Sequence, residues 1–181
     1  KVDITFVYVS DEKARSLRSH PPACATIASV WASAVFLIIG LVAFGLGEAL
    51  LVTAGIGVSP WTVFAEGVTK VTGWSLGFAT FVISLSVLGL WIPLRQAPGM
   101  GTILNAIIIA LVLEFVLPYL PGFETYLANA ALALTGVFVT GFGGAIYLIA
   151  NLGPGPRDGL MTGLQAVTHQ PIALVRTFLE L

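Results

Sequence analysis

Ala54-Gly-Ile-Gly57-Val-Ser-Pro60 returns ninety-six residues later as Ala150-Asn-Leu-Gly153-Pro-Gly-Pro156. The register extends both ways without a gap. Gly45-Leu-Gly-Glu-Ala49 aligns with Gly141-Phe-Gly-Gly-Ala145, and Gly67, Val71 and Thr72 align with Gly163, Val167 and Thr168. From Gly40/Gly136 to Leu85/Leu181 there are 11 identities in 46 pairs. Composition alone would give about 4 or 5, so the pattern reads as an internal duplication.

The medium of this duplication follows from composition. Hydrophobic residues make up 57% of the chain and charged residues 9%, and mean hydropathy is +0.97. A soluble domain carries about 25% charged residues, so this chain has too few polar side chains to cover a globule. The charges are also uneven: seven of the 17 lie in the first 20 residues. A polar tail followed by a polytopic, all-α membrane body is expected. The net charge of -1 says nothing about partners. The expected partners are the lipid bilayer and an unknown small solute, not nucleic acid.

The expected organisation is a polar tail at 1–25, a first membrane repeat at 26–120 and a second at 121–181. The chain starts at Lys1 and stops in an apolar run at Leu181, so the second repeat is expected to lack its C-terminal part. Spans are expected at 27–52, 76–94, 102–117 and 126–150, with a fifth starting at 172. The third is short before Pro118 unless it continues toward Tyr119. Between spans, Pro60–Val71 opens on a first-turn proline and pairs Glu66 with Lys70 at i,i+4, which describes a short amphipathic helix. Its counterpart is Pro156–Val167. Each is too short to cross, so both read as interfacial or re-entrant.

Orientation follows from parity. Three spans separate a position from its counterpart, so the second repeat is inverted relative to the first. With Lys13, Arg15 and Arg18 cytoplasmic, Arg95 and Arg157 also fall inside and only Lys70 falls outside. Crossing short helices would make the repeats parallel and move Arg95 and Arg157 outside. The positive-inside rule favours the inverted arrangement, with a cytoplasmic N-terminus.

Candidate functional residues cluster at the Gly/Pro-interrupted helix starts, where such proteins place solute sites. Gly57, Pro60, Gly153 and Pro156 supply the backbone geometry. Arg157 and Asp158 follow Pro156. Asp158 suits the free N–H groups and dipole of a helix start, and Arg157 with that helix end could face an anionic group. Trp61 and Thr62 hold these positions in the first repeat, so no symmetric charged site exists. Glu48, Glu114, Arg176 and Glu180 lie in or at the edges of spans, where ionisable groups are costly and point to function. Arg176 and Glu180 can pair at i,i+4, and their counterparts are Thr80 and Ser84. Asn105, near the start of the third span, can bond across helices, as can Thr102. The glycines of the spans favour close helix packing, with a flexible point used in motion as the alternative.

Catalysis is not expected. Cys24 is the sole cysteine, which excludes an intramolecular disulfide and a thiolate metal site. His20 and His169 lie in the tail and a loop. HExxH, a phosphate-binding glycine loop and a serine nucleophile motif are absent. No enzyme, cofactor or metal is therefore called for.

The strings Leu152-Gly-Pro-Gly-Pro-Arg-Asp-Gly-Leu-Met161, Arg176-Thr-Phe-Leu-Glu180 and Pro98-Gly-Met-Gly-Thr-Ile-Leu-Asn105 resemble the YczE/YyaS/YitT-type family of bacterial integral membrane proteins, over roughly residues 30 to 181. That family's first repeat tends to read Gly-x-Gly-Pro-Trp-Asp. Here Gly57-Val-Ser-Pro60-Trp61-Thr62 lacks the carboxylate. Glu114 stands where the family tends to hold an acidic residue. The resemblance implies a multi-pass protein of the bacterial plasma membrane. The expected function is a small-solute transporter or permease of unknown substrate; the alternative is a non-transporting accessory protein that binds a partner or lipid.

Overall fold

The computed structural model describes the backbone of residues 27–94 and 96–180, and the side chains of 31–94 and 96–179. The expected tail at 1–25, Cys24, His20, Arg95 and the side chain of Glu180 lie outside the described residues. Residues from Ser33 onward form one compact unit, and the helix crossings and cavities described below lie within it. All its regular structure is helical: α1 (Ile27–Ala54), α2 (Pro60–Thr72), α3 (Leu76–Trp91), α4 (Met100–Val116), a 3-10 turn (Leu117–Tyr119), α5 (Tyr126–Ile149), α6 (Pro156–Thr168) and α7 (Ile172–Glu180).

Three stretches are long and apolar enough to cross a bilayer: Trp31–Ala54, Met100–Tyr119 and Tyr126–Ile149. The 3-10 turn carries the α4 stretch past Pro118, which sits in the first turn of that segment. Among the described residues, α2 and α3 pass the same test only when taken together, bent by 113°, the form of a broken span or of a re-entrant loop. Large apolar side chains on these helices stay uncovered, such as Trp31 (69% exposed) and Phe138 (75%), a surface suited to lipid and not to water. The molecule is a polytopic helical membrane protein.

The second expected span requires a correction. The sequence predicts it over 76–94, but α3 has 16 residues and ends at Trp91, about 24 Å at 1.5 Å per residue. Pro93 has no N–H with which to bond the Gly89 carbonyl. That carbonyl instead accepts from Ile92 N–H at 3.3 Å, and the helix turns out.

Local chemistry sets the short helices. Ser59 caps α2, its Oγ accepting from Thr62 N–H at 3.3 Å, and Pro60 presets the first turn. Gly73 closes α2 at φ 75°, donating its N–H to Thr69 O, the left-handed ending that glycine permits. In α6, Pro156 again presets the first turn, and His169 closes the helix at φ 54°, donating to Gln165 O. The bounds coincide in register: Pro60 and Pro156, Thr72 and Thr168, and Leu76 and Ile172 each stand 96 residues apart.

α1 and α5 cross at glycines. A Cβ on Gly40 would meet Gly143 O at 2.9 Å, and one on Gly143 would meet Gly40 O at 2.7 Å. The second contact pairs Gly47 with Gly136, at 2.8 and 3.0 Å to each other's carbonyl oxygens. The earlier residue of α1 meets the later residue of α5, so the helices run antiparallel. Leu37, Leu41, Tyr147 and Ala150 form the buried core beside this crossing, with Leu104, Ile108 and Ile109 of α4 packed on it.

Candidate solute cavity

The lead-in to α6 is pinned by residues far away in sequence. Gly101 N–H donates to Leu152 O at 2.8 Å. Thr102 Oγ1 donates to Pro154 O at 2.7 Å. Trp91 Nε1 donates to Pro156 O at 3.2 Å. These bonds satisfy carbonyls of an irregular segment that lipid would leave unpaired. They also fix the first turn of α6 against the end of α3 and the start of α4. Gly153, at φ 123°, makes the turn that this stitching needs.

Below the pinned segment lies a cavity of about 240 Å³. The first turn of α6 lines it with Gly155, Pro156, Arg157 and Asp158, and the first turn of α2 lines it with Ser59, Trp61 and Thr62. Glu48 of α1, Thr80 and Ser84 of α3, Asn105 of α4, Tyr147 of α5 and Arg176 of α7 complete its polar wall. Every helix of the described unit therefore reaches it.

Two hydroxyl–carboxylate bonds stand out. Thr62 Oγ1 donates to Glu48 Oε2 at 2.7 Å, and Ser59 Oγ lies 2.9 Å from the same Thr62 hydroxyl. Tyr147 Oη donates to Asp158 Oδ2 at 2.6 Å. Both tie a long helix to the first turn of the short helix that follows it. Their polarity is opposite: the hydroxyl is on the short helix in the first and on the long helix in the second. Thr62 and Asp158 are register counterparts, while Glu48 and Tyr147 are not. Charge-assisted hydrogen bonds of this length are the strong kind.

Of the eight side chains expected at a solute site, six line this cavity: Trp61, Thr62, Asn105, Arg157, Asp158 and Arg176. Glu114 does not. It is exposed and packs against Gly77 of α3. The side chain of Glu180, and with it the expected pairing to Arg176, lies outside the described residues. Of the structural positions, Pro156 lines the cavity, while Gly57 stands in open space. Pro60 lines an adjoining hollow of about 580 Å³ with Val58, Val63, Phe64 and Leu179. Trp61 and Arg157, register counterparts, border both spaces.

Tyr147 was not anticipated. A lone polar tip on an apolar helix is a weak signal, and its partner lies 11 residues away across the irregular turn. Among the described residues, no group of three or more His, Cys, Asp or Glu side chains comes together in a way that could hold a metal ion.

Known proteins resemble this chain in sequence. An uncharacterised protein of Haemophilus influenzae is 39% identical over 145 residues, covering 80% of this chain and 66% of the relative. The uncharacterised membrane protein YczE of Bacillus subtilis is 30% identical over 148 residues, covering 81% of this chain and 69% of the relative. The chain thus spans about two thirds of the length of these curated relatives. No solved structure matches it significantly. Residues 31–181 match a family of unknown function, DUF6198, and with the likeness to YczE this establishes that the chain belongs to that family of integral membrane proteins.

Proposed function

We propose that the protein is a small-solute transporter or permease of a bacterial plasma membrane, not an enzyme, with the cavity as its solute site. One observation carries this reading: the first turns of both short helices open onto a single polar cavity set among apolar helices. Interrupted helices that present free N–H groups and polar side chains to one space are the usual means of holding a solute at membrane depth.

The reading includes an inverted repeat with a cytoplasmic N-terminus. Support comes from the α1–α5 crossing. Gly40 and Gly47 are the register counterparts of Gly136 and Gly143. Exchanging the two halves turns the Gly40–Gly143 contact into the Gly47–Gly136 contact. A contact that maps onto itself in this way is that of a two-fold axis. Between antiparallel helices such an axis would stand perpendicular to them and in the membrane plane, which supports the inverted-topology reading.

Reconstitution of the full-length protein tests the proposal. Vesicles are offered a mixed pool of small solutes, and their contents are read by mass spectrometry. A transporter enriches at least one solute over empty vesicles. Asp158→Asn, which weakens the bond to Tyr147, lowers that rate by about tenfold or more. Vesicles indistinguishable from empty ones would leave the accessory-protein reading in its place. An unchanged rate in Asp158→Asn would remove Asp158 from the solute site.

A further inference from the structure

Polar groups in the cavity differ in whether they are already engaged. Glu48 accepts from Thr62 and Asp158 accepts from Tyr147. Arg157 and Arg176 each have an interaction of their own. All four charged side chains are therefore committed. Thr80, Ser84 and Asn105 are not. They are 6%, 5% and 9% exposed, all line the cavity, and none forms a side-chain hydrogen bond among the described residues. This is unusual within the molecule. Thr53, Ser86, Thr135 and Thr177 each donate back to the carbonyl four residues earlier, at 2.8–2.9 Å. That is the ordinary way for a hydroxyl to be satisfied in a membrane helix. Thr80 and Ser84, one turn apart on α3, forgo it. Among the described residues, the side-chain atoms fully enclosed without a partner lie elsewhere, at Asn129 Oδ1 and Thr140 Oγ1; those of Thr80, Ser84 and Asn105 keep access to the cavity, so three polar groups on adjoining helices face one space and stand open to a ligand.

We infer that the α3–α4 wall formed by Thr80, Ser84 and Asn105 is the recognition surface of the cavity, and that its ligand is a small, uncharged, hydrogen-bonding solute of the polyol or amide kind. Two hydroxyls and a carboxamide offer both donors and acceptors without net charge. The charged groups of the cavity already have interactions of their own, whereas Thr80, Ser84 and Asn105 can meet an uncharged solute donor for acceptor. The cavity of about 240 Å³ is below the roughly 300–1,000 Å³ of pockets that take drug-sized ligands, so the solute is small.

The inference rests on the cavity being a solute site, and two measurements separate its failure from that of transport. Calorimetric titration of the full-length protein in detergent uses glycerol, urea and acetamide as uncharged probes, with lactate and ethanolammonium as ionic ones. At least one uncharged probe binds, the ionic probes bind more weakly, and the Thr80→Val/Ser84→Ala protein binds that probe about tenfold more weakly. Ser84→Ala alone removes a single oxygen and retains the fold, and it weakens binding in the same direction. No heat from any uncharged probe, preferential binding of an ionic probe, or parental affinity in both variants would overturn the inference. Vesicle uptake supplies the second measurement. Binding without uptake retains the recognition wall and removes transport. Uptake of an ionic solute at an undiminished rate in Thr80→Val/Ser84→Ala retains transport and removes the wall.

Discussion

Thr62 shows how much a single side chain settles in this chain. Its backbone N–H is capped by Ser59, and its hydroxyl reaches the carboxylate of Glu48, which is 8% exposed. One residue therefore both starts α2 and satisfies a buried acid on α1. Removing the hydroxyl leaves that carboxylate short of a partner at membrane depth, a loss of about 1–3 kcal/mol. Thr62→Val of the full-length protein should accordingly unfold at a lower temperature in detergent, while Thr62→Ser stays near the parent. Equal stability of Thr62→Val and the parent would show that the bond contributes nothing. The position of Thr62 was legible in the sequence, because it aligns with Asp158 directly after the conserved spacing to proline. Its partner was not. Glu48 lies 14 residues earlier, across the non-helical segment Gly55–Ser59, and helical periodicity says nothing about direction across such a break. Tyr147 and Asp158 were separated in the same way.

At the level of elements, the starts of helices were easier to read than their ends and their neighbours. Pro60 and Pro156 announced both short helices, whose observed bounds extend one residue beyond the expected ones. Hydropathy overshoots the end of α3 because Ile92 and Leu94 are apolar on either side of Pro93, where the helical hydrogen bonding stops. The 113° bend between α2 and α3 is set by three residues, Gly73 to Ser75, whose dihedrals composition does not specify. Glycines posed the same difficulty: a list of them does not say which face each other. The structure divides them sharply. At Gly143 an added methyl would be driven against the Phe44 backbone and Gly40 O, and backbone atoms in a helix crossing cannot step aside. Gly67, on α2, has nothing within 4 Å. Gly143→Ala should therefore cost about 1–3 kcal/mol through overpacking. Gly67→Ala should gain about 0.5–1 kcal/mol by replacing a flexible residue inside a helix. Opposite shifts in unfolding temperature are the expected result. A neutral Gly143→Ala would mean that α1 and α5 do not meet as described.

On the scale of the molecule, the two halves share geometry and divide the chemistry. Proline starts, left-handed endings at Gly73 and His169, and the exchanged glycine contacts recur. The carboxylate and hydroxyl change places, and the aromatic Trp61 stands opposite in register to the cationic Arg157. Under the proposed transport function, such halves would expose the cavity to each side in turn by rocking one against the other. That argument depends on the halves being inverted, and inversion is a statement about sides of a membrane that labelling can check. Thr72 and Thr168 are register counterparts at the ends of α2 and α6. Both are exposed and donate to their own helix, to Val68 O and Leu164 O at 2.7 Å, and Thr72 Oγ1 also accepts one exposed bond from Trp74 N–H at 3.3 Å, so cysteine at either position disturbs little. In a Cys24→Ser background, which removes the sole native thiol of this sequence, Thr72→Cys should react in intact cells with a membrane-impermeant maleimide. Thr168→Cys should react only after the membrane is opened. Labelling of both from outside, or of neither, would make the halves parallel, and the two-fold relation of the α1–α5 crossing would then have to be a local coincidence of glycines, not the symmetry of the protein.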